Sequence, residues 1–159
     1  MFRWILICVV LALPVQAQTL SPAPMTSSPW DDYTRAAEVF NEGDRLRAGC
    51  ILYRGQFRAR LLLMIRPGRS DQAQALFASL QETVARPINE WLAGDRDDWI
   101  SAMTCARTWA ATGQDPDFPR TRHAAAYAEV LAGLDGLIAS IPSAAELRAT
   151  RRANGLPNR

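Results

Sequence analysis

Lysine is absent: all 18 basic residues are arginine. Schiff-base chemistry, the phosphate-binding loop with its Lys, and Ser-x-x-Lys acyl-enzyme chemistry are therefore excluded. Histidine occurs once, so any triad, zinc site or imidazole acid–base pair built within one chain has to use His123. That residue lies in RTRHAAAY, the first turn of an expected helix with two arginines beside it, and reads as a solvent-facing side chain. Cysteine is scarce too. Cys8, Cys50 and Cys105 form no Cys-x-x-Cys pair, which leaves a reactive thiol without support.

The two stretches that come nearest to a motif fail in detail. Asp95-Arg96-Asp97-Asp98 opens like a Ca²⁺ loop, but the sixth and twelfth positions, where Gly and Glu are needed, hold Ile100 and Ala106. These acids read instead as the start of a helix, favoured by its dipole. Gly68-Arg69-Ser70-Asp71-Gln72 lacks the final Gly and the preceding strand of a nucleophile elbow. No metal site and no cofactor are expected.

What is present begins with a targeting pattern. Arg3 supplies the positive end, Ile5 to Leu13 the apolar stretch, Pro14 the break and Val15-Gln16-Ala17 the small-residue cleavage site, so residues 1–17 read as a signal peptide. The stretch is shorter than the ~20 residues a membrane-spanning helix needs, and no transmembrane segment is expected in the mature chain. The absence of Lys and the abundance of Ala resemble the coding of a GC-rich genome and hint at a bacterial source. Cleavage removes Arg3 and leaves 17 Arg against 16 acids. A nearly neutral chain argues against nucleic acid as a partner.

Export also changes what the cysteines mean, because Cys8 is lost and Cys50 and Cys105 remain as an even pair in an oxidising compartment. A disulfide between them is expected. Residues 18–28, QTLSPAPMTSS, have too few apolar side chains to pack and read as a flexible leader.

The longest helical pattern lies between Gly43 and Arg66. Leu46, Cys50, Tyr53, Phe57, Leu61 and Met64 follow at steps of three or four and share one face. The other side carries Arg47, Arg54 and Arg58, with Arg60 and Arg66 at the flanks. That side reads as a solvated basic face paired with acids of neighbouring helices, or as a grip for an acidic protein or phosphate groups. A strand reading of 57–61 competes, but Leu61 to Ile65 breaks the alternation.

Other helices are expected from Pro29, capped by Ser28 with Asp31 and Asp32 in the first turn; from Ser70, kinked at Pro87 and running to Leu92; and from Asp95 to Gly113. A further one carries Tyr127, Val130, Leu134 and Ile138 to a stop at Pro142, with Gly133 and Gly136 allowing close approach of another helix. The last starts at the capping-box spacing Ser143 to Glu146. Gln114 to Arg120 reads as an exposed loop and 156–159 as a loose tail. The expected fold is all-α, a single-domain bundle of five or six helices over 29–155, with one disulfide.

Without catalytic apparatus, the expected function is that of an exported bacterial envelope protein acting by non-catalytic binding or interaction, its partner a protein of the cell envelope. The expected binding residues are Arg54 and Arg58 on the central helix and Asn89, Glu90 and Trp91 beside the proline, where an amide, an acid and a Trp occur together. Trp91, Trp99 and Trp109 read as core residues or, less simply, as surface anchors. One alternative is a peptidoglycan-directed hydrolase using Glu82 or Glu90 as a carboxyl raised in pKa by an apolar pocket. The other is a small-ligand carrier with its pocket at the Pro87 kink.

Overall fold

The computed structural model describes residues 20–21, 28–66 and 70–159. The expected signal peptide and most of the expected leader lie outside these residues. Helices account for the regular structure: α1 (Pro29–Asn41), α2 (Arg45–Ile65), α3 (Ser70–Leu80), a π-helical turn (Gln81–Ala85), α4 (Arg86–Leu92), α5 (Arg96–Thr112), α6 (Ala124–Ala139) and α7 (Ala144–Ala153). Among the described residues there is no strand.

Local chemistry sets the helix starts. Ser28 accepts a hydrogen bond from the Trp30 N–H, with Pro29 in the first turn, where its missing N–H costs nothing. Asp95 accepts from the N–H groups of Asp97 and Asp98, and Ser143 and Glu146 form both halves of a capping box. Gly43, at φ 97°, takes the left-handed conformation that turns α1 into α2.

The proline in the third helical run does not act where the sequence suggests. Arg86 N–H donates to Gln81 O, five residues back, so the wider turn comes before Pro87. The proline then stands in the first turn of α4. One π turn thus absorbs what would otherwise be a clash of the proline ring with the carbonyl of residue 83.

The central helix departs most from the sequence pattern. It is buried on every side from Ala48 to Ala59, because α1 and α5 pack along it and α4 and α6 complete the surround. Two glycines let neighbours come close. A Cβ on Gly55 would meet the Asp32 Cβ at 2.8 Å, and one on Gly49 would meet the Ala102 Cβ at 2.9 Å. At the second approach Cys50 and Cys105 are disulfide-bonded, with Cα atoms 5.6 Å apart, and join α2 to α5.

Two other expectations are corrected. The loop after α5 is not the exposed connection it looked, since Asp115 and Phe118 are buried and the Tyr127 hydroxyl donates to Phe118 O at 2.9 Å. The C-terminal residues are docked, not loose. The Arg159 guanidinium lies 3.4 Å from the Trp91 ring centre and bonds Asp98 at 2.9 Å, while Arg151 donates to Pro157 O. No single described helix is long and apolar enough to cross a membrane.

Candidate functional site

Arg54 and Arg58 are the two largest side chains in the core, 1% and 0% exposed, and not a surface grip. Arg54 Nη2 donates to Asp32 Oδ1 at 2.6 Å, and Arg58 donates through Nη1 to Asp32 Oδ2 at 3.0 Å and through Nε to Asp115 Oδ2 at 2.8 Å. Burial lowers the Arg58 pKa, but its bonds to Asp115 and Asp32 outweigh that and leave it raised. Arg54 and Arg58 are thus solvated by protein carboxylates and not by water, whereas Arg47, Arg60 and Arg66 keep access to solvent. The second oxygen of Asp115 caps its own loop at Asp117 N–H, so one carboxylate ties loop to helix.

Asn89, Glu90 and Trp91 face three different ways and form no site with the arginines. The Tyr53 hydroxyl donates to Asn89 Oδ1 at 2.9 Å and itself accepts from Trp99 Nε1 at 2.5 Å, so the chain of bonds joins α4, α2 and α5. Trp91 stands edge-on to Phe40 with Arg45 and Arg159 over its ring. Glu90 is exposed, and only its backbone carbonyl is engaged, by Arg151. Trp91, Trp99 and Trp109 all pack partly buried against the core.

The hydrolase alternative lacks its environment. The Glu82 side chain is 72% exposed beside Arg86, and Glu90 is exposed as well, so neither is enclosed by apolar side chains. Ala85 and Ile88, around the proline, are packed in the core. Among the described residues no cluster of three His, Cys, Asp or Glu side chains is arranged to hold a metal ion.

The concave surface lies elsewhere, between α2 and α6. It is a cavity of about 460 Å³, in the usual range for binding pockets. Tyr53, Gln56 and Phe57 form its floor, buried to within a few per cent, and Val130 and Leu134 continue it on α6. Met64 and Leu137 stand on the rim at 39% and 40% exposure. A second hollow of about 600 Å³ shares Leu63 with it and is lined by Leu76, 41% exposed. Met64, Leu137 and Leu76 are the large apolar side chains left exposed among the described residues; the first two lie on the groove and the third in the hollow that shares Leu63 with it.

A polar relay underlies the floor. Gln56 Nε2 donates to Gln81 Oε1 at 3.1 Å, and Gln81 Nε2 donates to the Tyr33 hydroxyl at 2.8 Å. Gln81 is the first residue of the π turn, so the irregular segment supplies the partner that a buried amide below the groove requires. Gly133 lines the α6 wall, and an added Cβ there would meet nothing within 4 Å. The expectation that Gly133 and Gly136 seat a neighbouring helix is therefore not met among the described residues.

The three tyrosines give this packing a pH signature. Burial pushes Tyr53 up to about 12, and it raises Tyr33 and Tyr127 as well. An unfolded Tyr ionises near pH 10, so the stability these hydroxyls contribute is fully present below about pH 10 and is lost as pH climbs through the raised folded values. Near-ultraviolet titration should show no phenolate midpoint near 10 in the folded protein, and the signal should rise together with loss of helix. A tyrosine ionising near 10 in the intact fold would contradict the packing described.

No protein-family model, curated protein or solved structure matches the chain.

Proposed function

We propose that the protein is an exported, non-catalytic binding protein of the bacterial envelope, and that it binds through the groove between α2 and α6. The observation that carries this reading is the placing of Met64 and Leu137 together on the rim of one groove, with Leu76 in a hollow that shares Leu63 with it, when an ordinary monomer scatters such side chains. The groove is built from two helices held by core packing, which suits a preformed site. Export rests on the N-terminal targeting pattern, and the paired Cys50 and Cys105 suit an oxidising compartment.

Gly133 supplies the test. A glycine inside a helix costs about 1 kcal/mol relative to Ala, and no contact among the described residues needs this one. Gly133→Ala should raise thermal stability and leave the groove open, whereas Gly133→Phe should fill it. Nile red, a neutral apolar dye, should bind wild type and Gly133→Ala saturably, and Gly133→Phe at least about tenfold more weakly. Circular dichroism establishes that each variant is folded. Absence of Nile red binding, or equal binding by Gly133→Phe, would remove the groove as the site.

A further inference from the structure

Taking that groove as the binding site, we infer that its occupant is an amphipathic helix of a partner protein, seated lengthwise between α2 and α6 with one acidic and one basic flank. Shape is the first reason. From Tyr53 to Met64 the α2 side of the groove extends about 16 Å at about 1.5 Å per residue, which matches about three turns of a helix. Its apolar positions recur at helical spacing on both sides, Tyr53, Phe57 and Met64 on α2 and Val130, Leu134 and Leu137 on α6. A third helix can set its own ridge of side chains, spaced by three and four, between two such rows.

Charge is the second reason. Arg60 stands on the α2 wall and Glu129 on the α6 wall, both exposed. Among the described residues neither has an ion-pair partner, and Arg60 contacts the face of Phe77 instead. An amphiphile with one anionic head satisfies Arg60 but sets its charge against Glu129. A helix carrying acids along one flank and bases along the other satisfies both walls, in the one direction along the groove that sets its acids toward Arg60 and its bases toward Glu129. The empty space at Gly133 lowers the α6 wall and lets a backbone come near.

Three synthetic amphipathic peptides of about four turns, sharing one leucine ridge, form the probe set: both flanks Glu, both flanks Arg, or one of each. Binding is read by displacement of Nile red and by fluorescence anisotropy. The mixed peptide should bind wild type about threefold to tenfold more tightly than either uniform one. Arg60→Glu should transfer the preference to the all-Arg peptide, and Glu129→Arg to the all-Glu peptide, with the fold of each variant checked by circular dichroism. Raised salt should compress these differences.

Equal affinities for the three peptides, or a preference that ignores both substitutions, would overturn the assignment of the flanks. Nile red bound but displaced by no peptide would overturn the helical occupant and leave the groove standing. Displacement by lauric acid without peptide binding would replace the helix with a small amphiphile. A monomer–dimer equilibrium in sedimentation that Gly133→Phe abolishes would replace it with a second copy of this chain. If Nile red itself does not bind, the groove reading fails and takes this inference with it.

Discussion

Replacing Asp32 with Ala is expected to lower the free energy of unfolding by about 3–5 kcal/mol, the usual consequence of removing one partner from a buried ion cluster. Asp32 lies fully buried in the first turn of α1 and divides its two oxygens between Arg54 and Arg58. Without it Arg58 keeps Asp115 and, at 3.6 Å, the half-exposed Asp117, while the buried Arg54 loses the carboxylate 2.6 Å from its Nη2. The loss is large because desolvation of those cations has already been incurred by the fold and cannot be recovered by water. Asp32→Asn, which keeps an acceptor but removes the charge, should fall between Ala and wild type.

Denaturant titrations at low and high salt separate this from a surface effect. Exposed pairs are worth about 0–1 kcal/mol and fade with salt, whereas the Asp32→Ala loss should be nearly the same in both. A change under about 1 kcal/mol would mean that water reaches the cluster. Replacing the whole cluster with apolar side chains of similar volume is a different experiment and need not destabilise.

Removal of the Cys50–Cys105 bond has the next largest expected effect. The bond closes a separation of 55 residues, and constraint of the unfolded chain over such a loop is worth roughly 4 kcal/mol. Because α2 and α5 are already packed at Gly49 and Ala102, the native helices should keep their places and the loss should appear mainly through the unfolded state. Cys50→Ala with Cys105→Ala should therefore lower the denaturation midpoint strongly while far-ultraviolet circular dichroism stays helical. An unchanged midpoint under oxidising conditions, or two free thiols in the purified protein by mass spectrometry, would contradict the staple.

The helices were legible because their signals are local. Ser28, Asp95 and the Ser143–Glu146 pair announce starts, and Pro142 and Gly43 announce stops, within a few residues of where they act. The buried arginines were not legible. Arg54 and Arg58 recur at helical spacing just as a solvated face does, and their partners Asp32 and Asp115 are 22 and 57 residues away. Periodicity reports which side chains share a face and says nothing of what covers it. A weak signal lay in Gly49 and Gly55, which sit off the apolar stripe of α2 and mark close neighbours on sides that looked solvent-facing.

The groove was illegible for a related reason. It is a gap between helices that are far apart in sequence, and the same Gly133 that looked like a seat for a neighbouring helix turns out to face open space. Asn89, Glu90 and Trp91 drew attention as a polar and aromatic cluster, yet consecutive residues on a helix point about 100° apart. They end in separate environments, one bonded to Tyr53, one in solvent and one under Arg159.

Methionine gives the most direct test of where binding occurs, because Met64 stands on the rim of the groove and Met103 is wholly buried in the core. With methyl-labelled methionine, assigned through Met64→Leu, the Met64 signal should shift on titration with the mixed-flank peptide while the Met103 signal stays in place. A saturating peptide that leaves Met64 unmoved, or that moves Met103 as much, would place the interaction away from the space between α2 and α6.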